Sequence, residues 1–242
     1  MKNLEWSEQS HSILEQATSL DRYNHWLMGN FKQYFGRTIL EIGSGQGALS
    51  KLFPGKAIII LSDIYSDYIN KLKQTFTDPV LKLDIENEAP EILIGKMDTI
   101  FSSNVFEHIK DDKKAFLNCF KLLESGGRLL LFVPARPEIY GKLDTDMGHY
   151  RRYTHKSLKE KVEKAGFKIE KIHYVNLPGY FLWWGRGVLI GKLSRSKPGA
   201  NKQDNYFGKL FDKFIVPLLY LEKYLRPPIG QSLVLIARKS GK

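Results

Sequence analysis

The stretch Ile39-Leu40-Glu41-Ile42-Gly43-Ser44-Gly45-Gln46-Gly47 constrains this chain more than any other. It reads as a buried strand carrying one acid, followed by a loop with glycine at every second position. Glycine there lets the backbone approach a ligand that a Cβ would hold away. The run Ala48 to Leu52 is expected to open a helix whose first amides face that ligand. The spacing is G-x-G-x-G, not the G-x-G-x-x-G of dinucleotide sites. Glu41, two residues before the first glycine, would repel phosphates and suits a cationic ligand. Taken alone, the glycines have a tight strand-to-helix turn as their lesser, competing reading.

The next apolar runs sharpen the reading. Ala57 to Ser62 ends at Asp63, where an acid can hold both hydroxyls of a ribose. Val80 to Leu83 ends at Asp84, within reach of an adenine amino group. Met97 to Ser102 runs into Asn104-Val105-Phe106-Glu107-His108. Three acids at carboxyl ends of strands make the rim on which open α/β sheets bind ligands. Strands and helices alternate to about residue 134, which predicts a parallel sheet with helices on both faces.

The residues Leu40 to Gly47, Asp63, Asp84, Phe101 to Asp112 and Leu122 to Ala135 together resemble class I S-adenosylmethionine-dependent methyltransferases. The resemblance is nearest the small-molecule branch that includes the ubiquinone-biosynthesis O-methyltransferases. It extends to bacterial proteins with a G-H-Y-R-R-Y-T block, here Gly148 to Thr154, and a late P-P-x-G-Q-S-L block, here Pro227 to Leu233. It implies an enzyme using S-adenosyl-L-methionine. The implied fold is α/β: a Rossmann-like, seven-stranded, mostly parallel sheet with helices on both faces and a helical insertion before the last strand. The implied cofactor-binding positions are Glu41, Gly43, Ser44, Gly45, Gly47, Asp63, Ile64, Asp84, Ile85, Asn104, Val105 and His108. Tyr23, upstream of the glycine loop, either folds over the cofactor or packs on the sheet.

The segment Leu143 to Tyr153 follows the fifth strand, where the acceptor should lie. His149 is the candidate general base, because imidazole titrates near neutrality; a structural hydrogen bond is the competing role. Arg151 and Arg152 are candidates to grip a phosphate or carboxylate. His108 is placed at the cofactor edge or in packing. No metal is expected. The D-x-D-x-x-H spacing of Asp144, Asp146 and His149 is the one hint, and no further ligand stands out.

Charge divides the chain. Residues 1–134 carry a net −2 and residues 135–242 a net +13. A basic half favours an anionic partner, whether a small or lipid-linked acceptor, an anionic membrane or nucleic acid, unless it is simply a lysine-rich solvated surface. RNA-directed methylation and a non-catalytic cofactor-binding protein are the alternative functions. Nucleic acid is the weaker, because no RNA-binding module is visible and Ser103-Asn104-Val105-Phe106 lacks the clamp of amino-methylating DNA enzymes. The single cysteine, Cys119, and a polar first 20 residues fit a cytoplasmic protein, free or at the inner face of a membrane.

One domain over 1–242 is expected: an N-terminal helical segment to 35, with its helix from about 8, a cofactor core at 36–176, an insertion at 177–230 and a final strand and tail at 231–242. Thr154 should cap a helix over about 155–165, closed by Gly166. Lys168 to Val175 is the next strand, with Ser232 to Ala237 antiparallel beside it. Leu177 to Leu193 is apolar but shorter than the ~20 residues of a membrane span. Ser194 to Asn205 reads as a mobile loop. Phe207, Leu210, Phe211, Phe214, Ile215, Leu218, Leu221 and Leu225 recur at helical spacing, with Pro217 a kink. The insertion is either a lid on the substrate or an interfacial membrane contact.

Overall fold

The computed structural model describes residues 20–185 and 210–241. Seven strands form one sheet: β1 (Thr38–Ile42), β2 (Ile58–Asp63), β3 (Val80–Lys82), β4 (Met97–Ser103), β5 (Leu123–Pro134), β6 (Phe167–Val175) and β7 (Ser232–Lys239). Their order is β3-β2-β1-β4-β5-β7-β6, and only β7 runs antiparallel. Strand order reverses between β1 and β4, the crevice where such sheets bind ligands.

Side-chain alternation along the central strands feeds two cores. Leu40, Ile42, Ile100, Leu129 and Leu131 face one side, with Leu233 and Leu235 beside them. Ile39, Phe101, Leu130, Phe132, Val234 and Ile236 face the other. The second core is covered by α1 (Asp21–Gly29), through Trp26, Leu27 and Met28, and by the adjoining Phe31. Each such burial contributes about 1.5–3 kcal/mol, which outweighs anything a nine-residue helix gains alone. The first core is covered by α3 (Asp112–Leu122) and α5 (His155–Lys164), while α2 (Ser66–Thr75) follows β2 and α4 (Lys142–Asp146) follows β5. Thr154 Oγ1 accepts from the Ser157 amide at 2.9 Å and Gly166 closes α5 at φ +101°, as the capping pattern requires.

Three expectations change. No α-helix follows the glycine loop; only a 3-10 turn, Ser50–Leu52, forms there. Phe53 precedes Pro54 and is extended, and a residue before proline resists the helical region. The resemblance implies a helix, a glycine turn and a fifth strand over Leu122 to Ala135, but the Ser-Gly-Gly of 125–127 is not a separate turn: β5 begins at Leu123, and its register with β4 shifts across this stretch. The final strand lies antiparallel beside β6 as expected, and it inserts between β5 and β6 and pairs with both. The N-terminal helix is α1 followed by a 3-10 turn, Lys32–Tyr34, and the part expected from 8 to 19 lies outside the described residues.

The insertion begins with α6 (Leu177–Trp183) and resumes as a π turn, Phe211–Ile215, then α7 (Val216–Leu219, with Pro217 in its first turn) and α8 (Glu222–Leu225). It is tied to the domain by two carboxylates. Asp212 accepts from the Tyr23 and Arg22 amides at 2.8 and 3.3 Å, and so caps α1 from far away in sequence. Glu222 accepts from the Asn176 and Leu177 amides at 2.7 and 2.8 Å. The expected loop at 194–205, Phe207 and the end of the 177–193 run lie outside the described residues. No described helix is long and apolar enough to cross a membrane.

Candidate active site

The parallel strands β1 to β5 place their following loops on one edge. At the glycine loop, the Gly43 and Ser44 amides both donate to the Ser62 carbonyl, at 2.9 and 2.8 Å. The glycines have different reasons. Gly43 and Gly47 have φ of +74° and +80°, and a Cβ on either would collide with Val105 or Phe76. Gly45, at φ +54°, would point a Cβ into open space. Only at Gly45, then, is the side facing a ligand left clear by the missing side chain.

Ser44 is buried, and its Oγ accepts from the Ser62 amide at 3.2 Å. Glu41 is buried and accepts from Ser50 Oγ at 2.5 Å. Burial pushes its carboxyl up to about 7 against the Ser50 and Ser44 hydrogen bonds, with Asp63 adding repulsion. Asp63 accepts from the Gly45 amide (2.9 Å) with one oxygen and the Tyr65 amide (3.0 Å) with the other. Burial raises its pKa as well. With the Ile64 amide as a third donor, a lone pair remains for a ribose hydroxyl.

The remaining rim positions differ. Ile64 is exposed, whereas the Ile85 side chain is committed to the core. Asp84 closes its own turn, accepting from the Glu86 amide (3.1 Å) and from Asn87 Nδ2 (2.7 Å). Asn104 adopts the left-handed region at φ 52° and its amide donates to the Phe132 carbonyl at 2.8 Å. Tyr23 bonds Asn176 through its phenol and its ring lies on Trp26 and Phe211. Its described partners belong to the opposite core and the insertion, so packing fits it better than a cofactor cover.

The acceptor side is built around one short turn. After β4, Phe106–His108 forms a 3-10 turn, whose preceding Val105 touches Gly43. The Tyr150 amide donates to the Glu107 carbonyl at 2.8 Å and draws the post-β5 loop onto this turn. Three side chains converge there. His149 Nε2 and His108 Nε2 each lie 3.9 Å from Glu107 Oε1, and the two rings meet edge to face at 4.7 Å. His149 Nδ1 bonds Asp144 Oδ1 at 2.8 Å. Burial pushes the Glu107 carboxyl up to about 7, against the charges of His149 and Arg152. Burial and the neighbouring His149 push His108 down to about 3. Burial works to raise Asp144, but the His149 hydrogen bond and the Arg152 charge hold it below the ordinary range.

The expected anion clamp does not fit the geometry. Arg152 is buried: Nε bonds Asp144 Oδ1 at 2.7 Å, Nη1 bonds the Ala135 carbonyl at 3.1 Å, and the guanidinium lies 4.7 Å over the Trp183 ring. Arg151 lies 2.9 Å from Asp112 Oδ2 and donates to the Lys110 carbonyl at 2.7 Å. Asp112 also receives Tyr153 Oη (2.8 Å) and Lys161 Nζ (2.5 Å). The residues Gly148 to Thr154 thus bolt the post-β5 loop onto the post-β4 turn.

Asp144, Asp146 and His149 do not form the trio that their spacing hinted at. Asp144 bonds His149, while Asp146 bonds Lys142. Glu107 was missed by sequence reasoning. The only signal was an acid beside a histidine inside an apolar turn, Phe106-Glu107-His108-Ile109. A separate open hollow of about 430 Å³ lies between α1 and α7, lined by Asp21, Arg22, His25, Val216, Pro217 and Tyr220, and contains none of these residues.

Comparison with known proteins gives a consistent picture. Residues 16–172 match a family model described as a methyltransferase domain. A malonyl-[acyl-carrier protein] O-methyltransferase of Ilyobacter polytropus is 35% identical over 122 residues, which cover 47% of this chain and 43% of that protein. A ubiquinone biosynthesis O-methyltransferase of Coxiella burnetii is 25% identical over 166 residues, 60% of this chain and 71% of that one. The chain spans about half the length of the curated relatives it matches. A solved SAM-dependent methyltransferase from Archaeoglobus fulgidus superposes with a TM-score of 0.57 and 18% identity, covering 94% of each chain. At that identity the likeness is one of fold.

Proposed function

This chain belongs to the methyltransferase domain family, and from that premise we propose that it moves the methyl group of S-adenosylmethionine onto an oxygen of a small or lipid-linked acceptor. One observation carries the choice of oxygen. A buried Asp144–His149 pair, with Glu107 and His108 beside it, stands a single turn from the glycine loop. An amine acceptor needs only to arrive neutral, whereas a hydroxyl must lose a proton as it attacks.

In this reading, Gly45, Asp63 and Glu41 hold the cofactor, and the acceptor lies over the cluster. The acceptor oxygen attacks in line. The O–CH₃ bond forms as the CH₃–S bond breaks, and its electron pair stays on sulfur and neutralises the sulfonium. His149 takes the hydroxyl proton, with Asp144 fixing its orientation. Arg152 acts as a positioning residue that holds Asp144, and Arg151 one that holds the loop. The two relatives named as O-methyltransferases, one for malonyl-[acyl-carrier protein] and one of ubiquinone biosynthesis, support an oxygen target. Preference for an anion then rests on the field of the basic half rather than on a clamp.

The test is methyl transfer from labelled cofactor to carboxylate and phenol acceptors. His149→Ala is expected to lower turnover by about 10²–10⁴ with cofactor affinity unchanged. A labelled amine, or turnover unaffected by the substitution, contradicts the reading.

For the proposed insertion of residues 177–230, one observation favours a lipid surface over a lid. Much of the expected apolar stripe faces outward: Phe214, Leu218, Leu221 and Leu225 are exposed while Val216 and Leu219 face the core. Phe181, Leu182 and Trp184 are exposed too, and Lys213, Lys223 and Arg226 accompany the stripe in sequence. An apolar face with cations suits an anionic membrane interface. Binding to phosphatidylglycerol vesicles at low salt, released at high salt, is expected; no preference over neutral lipid favours the lid.

A further inference from the structure

We propose that Glu107, His108 and His149 form a binding site for one divalent first-row transition metal ion at the acceptor side of the cofactor crevice. The inference rests on the reading above only in placing the acceptor over this cluster.

The geometry supplies a two-histidine, one-carboxylate set. One donor atom from each residue lies within 4.8 Å of the others. Both imidazole Nε2 atoms are 3.9 Å from the same carboxylate oxygen. Ligands at about 2.0–2.2 Å from a shared ion stand roughly 3–3.5 Å apart, so side-chain shifts of under ~1 Å would close the set.

A second observation points to a ligand independently. Glu107 is fully buried, and among the described residues neither carboxylate oxygen has a hydrogen-bond partner. Burying a carboxylate in that state costs far more than burying a partnered one. Around metal-bound imidazoles the far ring nitrogen is held by a carboxylate or backbone group. His149 matches this, with Nδ1 on Asp144 at 2.8 Å, and the His108 ring has a hydrogen bond with the Gly148 backbone. Asp144 is in turn fixed by Arg152 at 2.7 Å and the Gly141 amide at 3.0 Å.

Imidazole donors favour Fe²⁺, Co²⁺ or Zn²⁺ over the oxygen-preferring Mg²⁺, Ca²⁺ and Mn²⁺. His108, with 22% of its side chain exposed, provides the way in. When the ion is held, His149 is a ligand, and the ion's charge favours loss of the acceptor's proton to water.

The experiment is titration of the untagged, full chain with Co²⁺, followed by its visible absorption, and with Zn²⁺ by calorimetry. One ion per chain is expected. Glu107→Gln, which keeps the shape and has no hydrogen bond to lose, should weaken binding by more than ~100-fold. Asp144→Asn should weaken it by about 10–100-fold. His25→Ala, on the exposed face of α1, should change nothing. Thermal melting and S-adenosylmethionine affinity, measured on each variant, confirm that the fold and the cofactor site survive. Absence of saturable binding to the wild type, or binding that survives Glu107→Gln with His149→Ala, overturns the proposal. Methyl transfer that persists without any ion bound overturns the metal's part and leaves oxygen transfer standing. A bound ion with transfer to nitrogen does the reverse.

Discussion

The glycine loop after β1 and the loop after β5 sit on the same edge of the sheet, yet they are built in opposite ways. The first is held through backbone groups: two amides donate to the Ser62 carbonyl of β2, and Gly45 leaves open space. The second is held by side chains. Arg152 reaches Asp144 and Ala135, Arg151 and Tyr153 reach Asp112, and Tyr150 is drawn to Glu107. A loop held through its backbone can leave its face to a ligand. A loop that must be bolted down uses most of its charges on the bolt, and beside it His149 meets Glu107 and His108 of the post-β4 turn.

If that contrast is right, the largest effects fall on the bolted loop. His149→Ala should lower turnover by about 10²–10⁴ without a matching loss of stability. Arg152→Ala should instead cost about 3–5 kcal/mol of stability, because Asp144 would keep a buried charge without its partner; chemical denaturation measures this. An unchanged unfolding midpoint would mean that the arginine is free to serve a ligand after all. Tyr153→Phe removes hydrogen bonds to Asp112 and the Phe106 carbonyl and should cost about 1–3 kcal/mol.

The same contrast explains what could be read from sequence. The sheet, the rim acids and the capped α5 were legible because each depends on neighbours a few residues apart: alternating apolar residues, Thr154 with Ser157, glycine after β1. The helix after the glycine loop was misread because Pro54 outweighs the favourable run before it. The roles of Arg151 and Arg152 were not legible. A guanidinium looks alike in sequence whether its carboxylate is in a ligand or, as with Asp112, about 40 residues upstream. Glu107 was hidden for the same reason, since only the fold brings His149 to it.

The glycine-loop side should respond more gently and through pH. Glu41 and Glu107 both have carboxyls raised to about 7 by burial. A raised carboxyl contributes stability that is full below its unfolded value, near 4.5, and is lost as pH rises through 7. The ligand-free chain should therefore melt lower at pH 8 than at pH 6, each group contributing about 1 kcal/mol over that interval. Ionised Glu41 favours a sulfonium, so cofactor affinity should rise over the same range, and Glu41→Gln should flatten that rise. Asp63→Ala should weaken cofactor binding by about 1–3 kcal/mol through lost ribose hydrogen bonds.

The most direct measurement is calorimetry of S-adenosylmethionine and NAD against the wild type and Gly45→Val. The account predicts one S-adenosylmethionine per wild-type chain, no NAD, and no S-adenosylmethionine bound by Gly45→Val, whose branched side chain would fill the space that the loop leaves clear. Wild-type chain that binds NAD and ignores S-adenosylmethionine, or a folded Gly45→Val that binds S-adenosylmethionine as the wild type does, would contradict it.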